Sequence, residues 1–390
     1  MNVSSAPRIA PRVSVFMPVF NAAAHLPEAV ESVLRQSLSN IELITVDDGS
    51  SDASLSILRE YAAADSRIHV IANRENKGNA HAHNEGWSRA KSNYVACMHA
   101  DDIALPDRLE RQVQFLDQHP RVAAVGGEAV VIDDTGRRHD SMRVPTSSLE
   151  IRAKLPWHNC LVHPTVMMRK DALADVGGYR VDLVEDYDLW LRLSEHYELA
   201  NLPHPLILHR WHPRDIAYIE RQVTGALAVR AAARMRASFG YDLLSGTDDL
   251  TADVLSALGV TDEDVRRALE HEWVAQATYM VELGQVDEAE QLLDAAAGTA
   301  GHRLYGTFRA GMELKRAKAL LRDRRVATAA LSVLRAAVHD PRYAIKRLQR
   351  NLDFRARGRP LRWATWLAHA LVVLRNAFGS FLGNRHRMRR

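Results

Sequence analysis

Two pairs of adjacent aspartates, Asp47 with Asp48 and Asp101 with Asp102, are the residues of this 390-residue sequence best suited to bind a ligand. Each pair lies at the end of a short apolar run, IELITV before the first and NYVACMHA before the second. Carboxylates are ligands of Mg²⁺ and Mn²⁺, and such an ion neutralises the charge of a bound diphosphate. One aspartate at such a position is more often a solvated turn residue, so only the two pairs together indicate a binding site.

The apolar runs alternate with helical patterns, which is typical of an open, mainly parallel sheet. Strands are predicted at residues 13–19, 41–47, 68–73, 93–100 and 122–127, and helices begin near Pro27, after Asp52 and near Pro106. Both aspartate pairs then fall at the carboxyl ends of strands, where open α/β sheets bind their ligands. From about Glu220 the pattern is helical almost throughout, and the segment around Gly284 is similar to one helical hairpin of a tetratricopeptide unit.

Composition places the chain among ordinary globular proteins, with 47% hydrophobic and 25% charged residues. The two cysteines, Cys97 and Cys160, cannot build a disulfide framework and do not have metal-binding spacing. The first twenty residues lack the long apolar segment of a signal peptide. A cytoplasmic location is therefore expected.

Three segments resemble those of family 2 glycosyltransferases of the inverting GT-A type: MPVFNAAAHLPEAVESVLRQS, VDDGSSD and HADDIALPDRL. They agree in order and spacing, within about residues 12–215. The resemblance implies a GT-A fold, which is α/β and Rossmann-like with flanking helices, followed by an α-helical C-terminal region. The expected division is an N-terminal tail at 1–11, a nucleotide-sugar-binding catalytic domain at 12–218, a helical region at 219–340 and a basic tail with an amphipathic helix at 341–390.

The resemblance also implies roles for residues in the donor site. Those expected at the nucleotide are Pro18, Phe20, Asp47, Asp48, Lys77, Gly78 and Asp101. Asp102 is expected to be the principal ligand of a divalent metal, Mn²⁺ or Mg²⁺, with Asp101 beside it. His212, in the segment HRWHP, is a candidate third ligand.

The segment GYRVDLVEDYDLWLRL resembles the part of the family that carries the catalytic base. Asp186 matches the base position and Glu185 precedes it. An ordinary aspartate, with a pKa of about 3.9, is ionised at neutral pH and needs no special tuning for this role. His163, at the start of the predicted strand HPTVMMR, and Trp190 are expected on the acceptor side. The alternative is that Glu185 and Asp186 only cap the helix that follows.

Three features depart from the family pattern. His99 stands where the family often has an acidic residue, and His83 stands where an arginine is common. The QxxRW motif of processive polysaccharide synthases is missing from the sequence, which favours addition of one sugar per encounter.

The predicted function is transfer of one sugar from a nucleotide-diphosphate sugar, expected to be a UDP-sugar, to a hydroxyl group of a glycan or lipid-linked acceptor. Synthesis of a cell-surface polysaccharide or glycan is the expected setting. One alternative is a sugar-nucleotide pyrophosphorylase, which normally begins with a glycine-rich phosphate loop that MPVFNAAAH does not provide. Another is a catalytically silent nucleotide-binding or scaffold protein, against which the intact Asp101, Asp102 and Asp186 argue.

The last fifty residues carry 13 Lys or Arg and one acidic residue, a net charge of +12, against −9 for the remainder. Between Leu361 and Leu382 the sequence is amphipathic as a helix, with Trp and Phe on its apolar side. This combination predicts an interfacial helix on an anionic membrane surface, at the inner face of the membrane. The alternative is a helix that packs on the protein or on a second copy in a homo-oligomer. Nucleic acid is not an expected partner, because no recognition module is present in the sequence.

Overall fold

The computed structural model describes residues 10–182, 184–212, 214–246 and 250–283, and from there to residue 336 only positions 285, 287–289, 291–292, 313, 332 and 335–336. The chain divides into two compact units. The first comprises residues 1–214 and 220–265, and the second comprises residues 215–219 and 266–390. All of the site residues predicted from the sequence belong to the first unit.

The first unit begins with a parallel half-sheet that matches the sequence prediction. Its strands are β1 (Val13–Val19), β2 (Ile41–Asp47), β3 (Ile68–Ala72) and β4 (Tyr94–Cys97), in the spatial order β3-β2-β1-β4. The helices between them are α1 (Leu26–Leu34), α2 (Ser54–Ala64) and α3 (Asn79–Ser88). β1 and β2 are fully in register from Val13 opposite Ile41 to Val19 opposite Asp47. Their buried valine, leucine and isoleucine side chains explain why these two strands were predictable to the residue.

The second half of the sheet is mixed. It contains β5 (Ile103–Ala104), β6 (Val122–Ile132), β7 (Arg138–Met142), β8 (Met167–Arg169) and β9 (Glu198–Arg210). β8 is antiparallel to both β4 and β6, whereas the long strands β6 and β9 run parallel to each other. The predicted mainly parallel open sheet is therefore confirmed, with antiparallel additions after β4.

The helices of this half are α4 (Arg108–Gln118), α5 (Ser148–Lys154), α6 (Lys170–Asp175) and α7 (Glu185–His196). The predicted strand beginning at His163 was wrong in its first part, because His163–Thr165 form a 3-10 turn and only Met167–Arg169 are extended. Pro164 near the start of that turn has no N–H to give to a strand ladder.

The helical pattern from Glu220 onward is confirmed where the structure describes it, in α8 (Ile216–Phe239), α9 (Ala252–Ala257) and α10 (Asp262–Leu283). Within the described residues no helix is both long enough and apolar enough to cross a membrane. The predicted hairpin turn at Gly284 and the predicted amphipathic helix at residues 361–382 lie outside the described residues.

Candidate active site

Asp101 and His212 form an accessible pair at the carboxyl end of the sheet. His212 Nε2 lies 3.0 Å from Asp101 Oδ2, and the two side chains are 30% and 32% exposed. Two ligands at ~2.1 Å from one cation and at a right angle to each other are ~3 Å apart. On its other side His212 Nδ1 lies 3.1 Å from Asp134 Oδ1. A carboxylate behind an imidazole is the usual support of a metal-binding histidine, so this pair fits a divalent cation.

Asp102 differs from its neighbour because it is fully buried. Its Oδ1 accepts a hydrogen bond from the backbone N–H of Arg210 at 2.8 Å. Nδ1 of His209 lies 3.0 Å from Oδ1 and 3.1 Å from Oδ2 of the same carboxylate. Asp101 lies in a turn with 32% of its side chain exposed, whereas the Asp102 side chain is fully buried, so only one of the two aspartates faces the open side. The structure places Asp101 there and holds Asp102 beneath it.

Neighbouring histidines dominate the electrostatics of Asp101 and Asp102. Burial alone would raise the pKa of Asp101, but the hydrogen bond from His212 and the nearby His99 and His209 lower it to about 2. Burial would lower the pKa of His209, yet the Asp102 carboxylate outweighs burial and raises it. The hydrogen bond to Asp101 likewise raises the pKa of His212. The Asp101 carboxylate is therefore ionised across the physiological range.

The second aspartate pair divides in the same way. Asp48 is nearly fully buried, and its carboxylate accepts hydrogen bonds from Asn73 Nδ2 at 2.9 Å and from the backbone N–H groups of Lys77 and Gly78, both at 3.0 Å. It thereby fixes the loop between β3 and α3. Asp47 is also buried, but its Oδ1 has no hydrogen-bond partner among the described residues. Buried polar oxygens are almost always bonded, so Asp47 Oδ1 is the atom of this pair best suited to a ligand.

The loop that Asp48 holds depends on glycine at position 78. Gly78 has a φ of +95°, and a Cβ there would collide with Oδ2 of Asp182. The same Asp182 accepts a hydrogen bond from the backbone N–H of Ala80 at 2.7 Å. The Lys77 side chain is exposed beside this turn. Gly78 therefore permits the start of α3 to approach the segment before α7.

The carboxyl end of β1 supplies the two remaining residues predicted at the nucleotide. Pro18 is half-buried in β1, and Phe20 follows the strand with 51% of its surface exposed. The backbone N–H of Asp48 bonds to the carbonyl of Val19 at 2.8 Å, which joins this end of β1 to the end of β2. An exposed aromatic ring therefore lies at the same strand end as Asp47.

Asp186 lies in the first turn of α7 and is half-buried. Its Oδ2 accepts a hydrogen bond from Asn159 Nδ2 at 2.7 Å, and its Oδ1 accepts one from the backbone N–H of Tyr187 at 2.7 Å. Burial raises its pKa, and these two hydrogen bonds oppose that rise. Burial therefore shifts the pKa of Asp186 upward from that of the ordinary aspartate expected from the sequence.

Glu185 has a more buried environment than Asp186, with 5% of its surface exposed. Its Oε1 accepts a hydrogen bond from Asn79 Nδ2, while Oε2 has no partner among the described residues. Burial, and then the charge of Asp186, raise its pKa to about 8. Glu185 is therefore largely protonated at neutral pH.

Of the two residues expected on the acceptor side, Trp190 lies in the hydrophobic core and His163 is buried beside it, with ring centroids 5.9 Å apart. Trp190 is fully buried and offers no surface to an acceptor in this conformation. His163 is 7% exposed, and its Nε2 lies 3.0 Å from the hydroxyl of Tyr179. The sequence did not reveal this burial, since a tryptophan on an amphipathic helix can face either side.

The glycosyl transferase family 2 model matches residues 14–177 of the chain. The amylovoran biosynthesis glycosyltransferase AmsE of Erwinia amylovora is 33% identical over 198 residues, which are 50% of this chain and 74% of that protein. The O-antigen biosynthesis glycosyltransferase WbnJ of Escherichia coli is 30% identical over 223 residues, which are 55% of this chain and 87% of that protein. The chain belongs to glycosyltransferase family 2. It is a glycosyltransferase, and the resemblance seen in its motifs is confirmed.

Among solved structures, the mannosyltransferase PcManGT from Pyrobaculum calidifontis, in complex with GDP-Man and Mn²⁺, is similar at a TM-score of 0.47 and 19% identity, over 86% of this chain and 89% of that one. The similarity is too low to assign a donor or a metal. Each of the two relatives matches only about half of this chain.

Several residues that support this family 2 site were missed by the sequence analysis. His209 and Arg210 hold Asp102, Asp134 backs His212, and Asn159 holds Asp186. Arg210 is itself buried, and its guanidinium bonds to the carbonyls of Asp101 and Asp133. His209 and Arg210 precede His212 in HRWHP, which was a usable signal. Asn159 and Asp134 lie in loops and carried none.

Proposed function

We propose that this chain is an inverting, metal-dependent transferase that moves one sugar from a nucleotide-diphosphate sugar, a UDP-sugar in the first instance, to a hydroxyl acceptor. The observation that carries the proposal is that two carboxylates near His99, Asp101 and Asp186, have different partners. The accessible Asp101 with His212 fits a cation, and Asp186, held by Asn159, fits a base. The charges of Asp101, Asp102 and Asp186 all act on His99, so the two environments adjoin.

Asp186 takes the proton of the acceptor hydroxyl as that oxygen bonds to the anomeric carbon and the bond to the nucleotide breaks on the opposite face. Its raised pKa makes it a stronger base than an ordinary aspartate. Glu185, protonated beneath it, binds Asn79 at the start of α3 and so connects the base to the loop of Lys77 and Gly78. A divalent cation, Mn²⁺ or Mg²⁺, would neutralise the charge of the departing diphosphate.

For the cation we propose Asp101 and His212 as ligands, with Asp102 close behind. His99, Asp101 and Asp102 could hold an ion between them, since one donor atom of each lies within 4.8 Å of the others. Asp102 is nevertheless engaged by Arg210 and His209, so its part is to position the strand end. For the nucleoside we propose Asp47 through its free Oδ1, with Phe20 and Pro18 beside it.

The names of the relatives support a setting in polysaccharide synthesis, since AmsE acts in amylovoran and WbnJ in O-antigen biosynthesis. We therefore propose a glycan or lipid-linked acceptor for this chain. A location at the inner face of the membrane accords with the basic tail read from the sequence.

The test is transfer or hydrolysis with a panel of UDP-, GDP- and dTDP-sugars and Mn²⁺. The variant Asp186→Asn should lower kcat ~10²- to 10⁴-fold while donor binding persists, because only the proton acceptor is lost. The variant Asp101→Asn should require far more Mn²⁺ for activity. Asp140→Asn, on the exposed strand β7, is the matched control and should behave as wild type. Full activity in both site variants would refute the assignment, and a wild type inactive with every donor would favour the silent nucleotide-binding alternative.

A further inference from the structure

Four side chains with metal-binding chemistry meet beside the acidic pair, although they come from three separate segments of the sequence. They are His83 of α3, Cys97 at the end of β4, His99 just after it, and His163 of the 3-10 turn. One potential ligand atom from each lies within 4.8 Å of the others. Their positions fit no sequence motif, since three separate elements bring them together.

One contact inside this cluster has the spacing of two ligands in a tetrahedral site. Cys97 Sγ lies 3.6 Å from His83 Nε2. A sulfur at ~2.3 Å and a nitrogen at ~2.0 Å from one tetrahedral Zn²⁺ are ~3.5 Å apart. The rings of His83 and His163 have centroids 4.7 Å apart, and His99 packs edge-on to His163 at 5.3 Å.

Two of the histidines are already oriented as metal ligands usually are. His83 Nδ1 is 2.8 Å from the carbonyl oxygen of Asn79, to which it must donate, so Nε2 keeps a free lone pair toward Cys97. His163 Nε2 lies 3.0 Å from the hydroxyl of Tyr179, which can accept from it and leave Nδ1 unprotonated. Metal-binding histidines normally donate their second N–H to such a carbonyl or polar partner.

The cluster is largely closed to solvent. Cys97 and His83 are fully buried, His163 is 7% exposed and His99 is half-buried. A coordinated thiol is deprotonated outright, so a bound metal would offset the burial of the Cys97 thiolate.

We infer that His83, Cys97, His99 and His163 form a zinc-binding site, separate in chemistry from the carboxylate site at Asp101. Imidazole and thiolate suit Zn²⁺, whereas carboxylate oxygens suit Mg²⁺ and Mn²⁺. Zinc here ties β4, α3 and the 3-10 turn together beneath the donor site. His83 and His99, the two histidines that depart from the family pattern, then have a single explanation, since both supply ligands to the same ion. The inference does not depend on which sugar is transferred.

The experiment uses the full chain, stripped with a chelator and titrated with Co²⁺ and then Zn²⁺. The wild type should bind one Zn²⁺ equivalent that Mn²⁺ does not displace, and its Co²⁺ form should show a thiolate-to-cobalt charge-transfer band. Cys97→Ser should lose the band and the tight equivalent. Cys160→Ser, at the other buried free cysteine, is the matched control and should keep both. Asp101→Asn should also keep both.

Two further measurements guard against a variant that fails to fold. Zn²⁺ should raise the Tm of wild type and of Cys160→Ser, since a ligand that binds only the folded state stabilises it. Tyr179→Phe, which removes the partner of His163, should weaken Zn²⁺ binding ~10- to 100-fold. The inference would be overturned if the Co²⁺ form of the wild type showed no charge-transfer band. It would also be overturned if Cys97→Ser retained Zn²⁺ and the Tm shift. In either case the four side chains would form only a hydrogen-bonded histidine core.

Discussion

Glu185 and Asp186 are adjacent carboxylic acids in different environments. Asp186 is half-buried and accepts hydrogen bonds from Asn159 and the backbone, whereas Glu185 is buried with one oxygen unpartnered. Two titratable groups whose environments separate their pKa values divide the acid and base roles between them. This separation supports Asp186 as the base and gives Glu185 a positioning role through Asn79.

The pH dependence of stability should report on Glu185. Its pKa is about 8 in the folded protein against an ordinary 4.5, so the folded state holds the proton more tightly than the unfolded state. Its contribution is complete below pH 4.5 and is lost as the pH rises through 8. Glu185→Gln, which resembles the protonated form, should avoid this loss. Its Tm should rise relative to wild type as the pH increases from 5 to 9, measured by thermal unfolding.

The control for that measurement is Glu60→Gln, on the exposed side of α2. An exposed carboxylate is solvated in both states, so the Tm difference from wild type should stay flat with pH. A flat difference for Glu185→Gln as well would show that Glu185 is ionised in the folded protein at neutral pH.

At the scale of elements, β4 and α4 hold the acidic pair between them, and one buried arginine joins the two. Arg108, the first residue of α4, is 1% exposed, and it donates to the carbonyl of Cys97 at 2.6 Å and to Met98 Sδ at 3.2 Å. Burial lowers its pKa to about 10, so it remains charged at neutral pH. Asp101 and Asp102 lie in the segment of chain between the end of β4 and the start of α4.

Arg108→Met should therefore destabilise the fold by about 1–3 kcal/mol, because the buried carbonyl of Cys97 loses its donor. The free energy of unfolding in urea measures the loss. Arg111→Met is the matched control on the same helix, where the arginine is exposed and pairs with Asp107. Exposed substitutions of this kind change stability by no more than about 0.5 kcal/mol. Equal effects of the two variants would contradict the anchoring role of Arg108.

At the scale of the whole molecule, the region matched by the family ends near the middle of the chain, and the positive charge gathers at its far end. The sequence predicts that residues 361–390 bind an anionic membrane surface. Removing the residues after Arg359 should abolish co-sedimentation with anionic phospholipid vesicles and leave transfer to a soluble acceptor intact. Each basic residue near such a surface contributes about 1 kcal/mol, so high salt should weaken the binding of the full chain.

The matched variant for that experiment replaces four arginines by glutamine in an otherwise complete chain: Arg385, Arg387, Arg389 and Arg390. It should bind vesicles more weakly than wild type yet more strongly than the truncated chain, because the apolar residues of the segment remain. If the truncated chain sediments as well as the full chain, the membrane hypothesis fails. A shift of oligomeric state on truncation would favour the alternative, a helix packed on a second copy.

The sequence by itself determined the first two strands of the sheet, the acidic residue at the end of β2 and the family of the protein. The bounds of β1 and β2 and the position of Asp47 follow from local signals, because both strands are short apolar runs and β2 ends at an acidic residue. The motif order was also enough for the family, since it depends on residue types and spacing alone. The segment containing His163 was misread because a short apolar run does not distinguish a strand from a tight turn.

The tertiary structure alone decided how the two carboxylates of each pair differ and which residues support them. Asp101 and Asp102 are equivalent in sequence, but β9 brings His209 and Arg210 to one and His212 to the other. The same holds for the cluster of His83, Cys97, His99 and His163, whose members lie up to eighty residues apart. Such contacts depend on how strands and helices pack, and packing is a property of the whole fold.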